Sequence, residues 1–174
     1  MNPMKQIQLE KITVNMGAGD DPQRVEASQK VLELLSGKKV VVTRNKNRTT
    51  FGAARGRAHG VKVTVRKQAA EELLKRLLTG AEGKLLIRQF DTHGNFSFGI
   101  PEYIHIPGMN YDPDIGILGL EVAVTLKRPG YRVKERRIRP GKIGKKHIVS
   151  PDEARDWARN FGFTLLEKPE ETVY

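Results

Sequence analysis

Cysteine is absent from all 174 residues, which removes disulfides, thiolate metal sites and thiol nucleophiles together and fits a reducing compartment. No window approaches the roughly 18 apolar residues of a membrane helix. The opening residues, Met-Asn-Pro-Met-Lys-Gln-Ile-Gln-Leu-Glu, hold no apolar run, so neither a membrane span nor a secretory signal is expected. The histidines, His59, His93, His105 and His147, are scattered, and none stands at His-x-x-x-His or His-Glu spacing. Zinc ligation and acid–base roles therefore lack their usual pattern. Gly-x-Ser-x-Gly and P-loop motifs are missing as well. The chain is expected to be no enzyme, with no catalytic residue, no metal and no cofactor.

The most informative shortage is of acids. Residues 36–70 hold ten Lys or Arg and no Asp or Glu, and residues 127–146 hold ten more against Glu135 alone. Together these 55 residues carry 20 of the 31 basic side chains and 1 of the 20 acidic ones, a balance of +19, while the remaining 119 residues balance at −8. Such segregation costs self-repulsion in the free protein and points to a polyanion whose bound counterions are released on contact. A pI near 10.0, without the wide apolar face of an interfacial helix, favours nucleic acid over membrane.

The length predicts one domain, residues 1–174, able to bury a core without staples. Ile12, Val14 and Met16 alternate with Lys11, Thr13 and Asn15, the period of a half-buried strand. After Gly17-Ala18-Gly19, Asp21 is placed to cap a helix with Pro22 at its first position, Val25, Val31, Leu32 and Leu35 on its apolar side and Gly37 at its end. Strands are predicted at 39–45 and 61–66, the latter with Val61, Val63 and Val65 inward and Lys62, Thr64 and Arg66 outward. The connection between them is a basic loop, 46–60, longer than an idle connection needs to be. A helix over 68–78 (Ala69, Leu73, Leu74, Leu77) stops at Gly80. Strands are expected at 85–89, 96–100 and 103–106, and the clearest lies over 120–127. A basic arm, 127–147, has too little apolar content to fold alone and reads as extended until bound. Ser150-Pro151-Asp152-Glu153 opens a last helix holding Trp157 and closing at Gly162. The fold class is α+β: a mainly antiparallel sheet with helices on one face and polar strand sides left on the other.

Gly17-Ala18-Gly19 lacks the third glycine of a dinucleotide loop and reads as a strand-to-helix turn. Asp112 and Asp114 read as turn residues rather than metal ligands. Phe96 and Phe98, two apart on a strand, and Trp157 with Phe161 read as core. The loop joins Arg55 and Arg57 with Gly52, Gly56 and Gly60, so that guanidinium forks can grip phosphates on a backbone open to close approach. Asn45, Asn47, Thr49 and Thr50 add short hydrogen-bonding groups, and Phe51 could stack on a base. No helix-turn-helix or basic zipper is present, and cations on strands and loops suit irregular RNA better than a B-form groove.

Three segments together resemble the family of universal large-subunit ribosomal proteins that bind 5S ribosomal RNA, number five of that subunit. They are Lys11-Ile12-Thr13-Val14-Asn15-Met16-Gly17-Ala18-Gly19, Gly60-Val61-Lys62-Val63-Thr64-Val65-Arg66, and Phe90-Asp91-Thr92-His93-Gly94-Asn95-Phe96-Ser97-Phe98-Gly99 with Pro107 after it. The insertion near 127–147 and the Ser-Pro-Asp-Glu-Ala-Arg helix look like the archaeal and eukaryotic form. The resemblance implies a structural protein of the central protuberance in the cytoplasmic ribosome. It implies 5S RNA contacts at Asn15, Thr43, Arg44, Asn45, Lys46 and Arg48. It also implies a loop facing transfer RNA in the peptidyl site, with Phe51, Gly52, Arg55, Gly56, Arg57, His59 and Gly60. A neighbouring 5S-binding large-subunit protein and a head protein of the small subunit across the intersubunit bridge are the implied protein partners. By its own chemistry the arm, through Arg132, Lys134, Arg136, Arg137, Arg139, Lys142, Lys145 and Lys146, is expected to follow large-subunit RNA phosphates. Two rivals use the same residues: a stand-alone RNA chaperone or regulator, binding many RNAs almost equally, and an RNA-processing enzyme, which requires carboxylates or histidines converging on a phosphate.

Overall fold

The computed structural model describes residues 2–19, 21–48 and 54–167. In chain order they form β1 (Gln8–Gly17), α1 (Pro22–Ser36), β2 (Val41–Arg44), β3 (Ala58–Arg66), α2 (Gln68–Gly80), β4 (Lys84–Leu86), β5 (Phe96–Ile100), β6 (Leu120–Lys127), α3 (Arg132–Glu135), α4 (Pro151–Phe161) and β7 (Thr164–Leu166). Five strands make an antiparallel sheet in the order β2-β3-β1-β6-β5. The expected α+β class holds.

The alternation along β1, β3 and β6 puts Ile12, Val14, Val61, Val63, Val122 and Val124 on one face, all nearly inaccessible, where α1 and α2 seal them with Val31, Leu32, Leu74 and Leu77. Both ends of α1 are local chemistry: the Asp21 carboxylate accepts the Gln23 N–H (3.0 Å), and Gly37 takes φ 61°. At α4, Ser150 and Glu153 form the reciprocal capping box and Gly162 closes the helix at φ 119°. Phe96 and Phe98 lie inward, their ring centroids 5.8 and 5.7 Å from that of Phe163, and Trp157 stacks on Phe161 at 5.2 Å. These aromatics are core, not a platform for bases.

Several expectations are corrected. Ala70, not Ala69, is the buried alanine of α2, because the helix starts after Lys67 at φ 63° and its phase follows that turn. Gly80 belongs to α2 instead of ending it: a Cβ there would lie 2.9 Å from Ile106 Cγ1. Segment 85–89 is not one strand; β4 pairs in parallel with β7, a partner eighty residues away, and Ile87–Gln89 is a 3-10 turn. Residues 103–106 also form a turn, with Tyr103 N–H donating to the Leu118 carbonyl (3.1 Å) and the Tyr103 hydroxyl accepting from Asp112 N–H (3.2 Å). Pro101 and Pro107 bracket it and supply no ladder donor.

Candidate nucleic-acid interface

The strand register fixes which side chains share the face that α1 and α2 leave open. Across it run Thr43, Gly60 and Gly17, then Val41, Lys62, Asn15, Glu121 and Gly99, then Thr64, Thr13, Ala123 and Ser97, and last Arg66, Lys11 and Thr125. Apart from Val41, Lys62 and Glu121, the middle rows hold short side chains: Asn15, Thr13, Thr64, Ala123, Ser97 and Gly99. Lys62, Thr64 and Arg66 are exposed, and Glu121 is the only carboxylate in these rows. Arg66 also pairs with the buried Glu10 across the bulge in β1 (3.2 Å). Asn15 sits at the centre of the face and Thr43 at its β2 margin. In the sequence Lys62, Thr64 and Arg66 read as outward but not as part of a site; the register puts them on the same face as Asn15, with Lys62 directly opposite it.

A register shift between Thr43 and Arg44 turns the chain out of the sheet. Arg44 Nη1 donates to the Gly56 carbonyl (3.3 Å), Asn45 N–H to Arg57 O (3.0 Å) and Gly56 N–H to Asn45 O (2.8 Å). The root of the basic loop is thereby closed on itself, with Gly56 at φ 82°. Asn45 Nδ2 is buried without a partner among the described residues. Lys46, Arg48, Arg55, Arg57 and His59 are exposed. Phe51 and Gly52 lie outside the described residues, as do Thr49 and Thr50. Gly60, grouped with the loop in the sequence, lies inside β3 and is buried; a Cβ on it would meet the Met16 carbonyl at 2.6 Å. Its missing side chain therefore lets β3 lie close to β1.

The arm is exposed but not extended throughout. It turns through α3 and returns, with Gly141 N–H donating to Val133 O (3.0 Å) and Arg136 Nε to Arg139 O (2.6 Å). Its base is clamped: the buried Arg128 pairs with Glu153, Tyr131 hydroxyl donates to His147 O (3.3 Å) and accepts from Val149 N–H (3.2 Å), and His147 Nε2 donates to Pro129 O (2.8 Å). The Ser150 backbone N–H first, then Arg128, holds the Glu153 carboxyl below its ordinary range against the opposing effect of burial. These clamps were missed in the sequence, where Arg128 counted as one more cation. Arg132, Lys134, Arg136, Arg137, Arg139, Lys142, Lys145 and Lys146 are all exposed, and none pairs with an acid among the described residues.

The other motifs resolve into structure. Asp112 Oδ1 accepts from Asp114 N–H (3.0 Å) and the Asp112 carbonyl accepts from Ile115 and Gly116, which is a turn. Ala18 N–H donates to His59 O (3.0 Å), so Gly17-Ala18-Gly19 continues the strand pairing before turning. Among the described residues no cluster of His, Asp and Glu has the grouping of a metal site, and no helix is long and apolar enough to cross a membrane.

Two family models match this chain: Ribosomal protein L5 over residues 2–50, and the C-terminus of the same ribosomal family over residues 58–164. The Large ribosomal subunit protein uL5 of Sulfolobus acidocaldarius is 42% identical over 168 residues, covering 95% of this chain and 94% of the relative. Its counterpart in Sulfurisphaera tokodaii is 44% identical, covering 96% of each chain. That of Nitrosopumilus maritimus is 45% identical, covering 94% of this chain and 96% of the relative. With both halves matched, and near-full-length identity to archaeal proteins, the chain belongs to the uL5 family in its archaeal-like form, a non-enzymatic structural constituent of the large ribosomal subunit.

Proposed function

We propose that this chain, as an RNA-binding constituent of the large subunit of the cytoplasmic ribosome, anchors 5S ribosomal RNA in the central protuberance. The family resemblance supplies the 5S identity, and the observation that supports RNA binding here is the open sheet face, bearing Lys11, Lys62, several Thr and Asn15, and continuous with the acid-free root of the basic loop. Asn15 and Thr43 offer short hydrogen-bonding groups to sugar and base edges, while Arg44, Lys46 and Arg48 meet phosphates. Gly56 and the exposed Arg55 and Arg57 project past the sheet margin, a suitable grip for the elbow of transfer RNA in the peptidyl site. Phe51 and Gly52 join that loop by family resemblance. The arm lies along large-subunit RNA, a neighbouring 5S-binding protein shares the 5S RNA, and a head protein of the small subunit meets the loop side across the bridge.

Two double variants separate the surfaces. Arg44→Ala with Lys46→Ala weakens 5S RNA binding and leaves the far-UV spectrum unchanged. Arg55→Ala with Arg57→Ala spares 5S RNA and weakens retention of peptidyl-site transfer RNA, by about tenfold to thirtyfold in a two-component assay if each phosphate contact contributes roughly 1 kcal/mol. The reverse pattern would exchange the two assignments. Equal affinity for 5S RNA and unrelated RNAs would favour the chaperone reading.

A further inference from the structure

Where the arm folds back over the end of the sheet it encloses a cleft of about 470 Å³, within the roughly 300–1,000 Å³ of small-ligand sites. We propose that this cleft receives one unstacked nucleotide of a bound RNA strand, its base inside and its phosphate on Lys134 and Lys142. Leu126, Ile143 and Ile148 give the cleft an apolar lining. The ring of Tyr131 forms part of its wall and cannot swing away, because its hydroxyl is held between His147 O and Val149 N–H. A rigid aromatic beside aliphatic side chains offers a base what it loses on leaving a stack.

Polar groups on the same lining are also fixed before any ligand arrives. Glu10 is tied to Arg66 (3.2 Å). Asn95 follows a turn packed so closely on Val149 that a Cβ on Gly94 would lie 2.6 Å from Val149 Cγ1. The Glu10 carboxylate and the Asn95 amide, which also donates to Asp91 Oδ2 (3.5 Å), are both on the lining and are groups of the kind that pair with a base edge. With Glu10 neutralised by Arg66, the charge left around the cleft is Lys11, Lys134 and Lys142 against Glu135. That excess selects a phosphorylated ligand, and the exposed cations elsewhere on the arm bring a polyphosphate strand across the opening.

The proposal rests on the chain being an RNA binder, and its test separates the two claims. The full-length chain with labelled isoleucine methyls and tyrosine rings is titrated with AMP, GMP, CMP and UMP, and with inorganic phosphate as control. Nucleotides are expected to shift Ile143, Ile148 and Tyr131 signals saturably, while phosphate leaves these signals in place. Ile143→Trp fills the cleft and abolishes the response. Lys134→Ala with Lys142→Ala, both at exposed positions, weakens it about fivefold to tenfold even should the tryptophan variant fail to fold. No response to nucleotides, an equal response to phosphate, or an undiminished affinity in the lysine pair overturns the proposal. If 5S RNA still binds the wild-type chain in that event, only the cleft assignment falls; if it does not, the sheet-face reading falls too.

Discussion

At the scale of single residues, two glycines separate steric necessity from backbone freedom. Gly60 has an ordinary backbone but no room, with the Met16 carbonyl 2.6 Å from where a Cβ would stand; Gly56 has open space among the described residues but a φ of 82°. Gly60→Ala is therefore expected to push β3 from β1 and lower stability by about 1–3 kcal/mol, seen as a lower urea midpoint. Gly56→Ala is expected to cost about 1 kcal/mol through its left-handed backbone. Glu153 predicts a pH dependence. Its folded-state carboxyl titrates below its ordinary value of 4.5, so the stabilisation is present above that pH and is lost as pH falls through the lower folded value. Glu153→Gln is expected to flatten the acid limb of a stability-versus-pH curve, and to be less stable than wild type near neutrality because Arg128 keeps its buried place without a counterion.

At the scale of elements, what could be read in the sequence is what local chemistry decides. Asp21-Pro22 and Ser150-Pro151-Asp152-Glu153 announce helix starts through caps that need no tertiary partner, and the period of β1, β3 and β6 survives because each has one wet face. The β4–β7 pair was illegible because its three-residue strands are stabilised only by each other across the chain. The turn at Tyr103 depends on Leu118 and Asp112, and it resembled a strand because its apolar residues are in fact buried. For the candidate site, charge runs marked the candidate binding segments, but not that β-register sets Lys62 beside Asn15 or that Arg128 is a clamp. The arm shows the consequence. Replacing residues 132–142 by a short Gly-Ser link leaves Arg128–Glu153 and Tyr131–Val149 in place. The variant is expected to melt within a few degrees of wild type yet incorporate poorly into large subunits; unfolding would show that the arm contributes to the core.

At the scale of the whole molecule, the net charge of +11 is the balance of two basic regions, the sheet face with its loop and the arm, against an acidic remainder. The helices α1 and α2 and the aromatic core occupy the opposite face of the sheet. A small α+β domain thus leaves most of one broad sheet face uncovered by α1 and α2, the surface proposed above to hold ribosomal RNA. The measurement that tests this most directly is the affinity of the purified chain for isolated 5S RNA as a function of salt, for wild type and for Arg44→Ala with Lys46→Ala. With about 5 to 8 phosphates neutralised, the wild-type plot of log affinity against log salt is expected to slope at about −4 to −6, and the double variant to bind more weakly with a slope shallower by about 1.5. A slope near zero, or a double variant indistinguishable from wild type, would contradict the assignment of this face to 5S RNA.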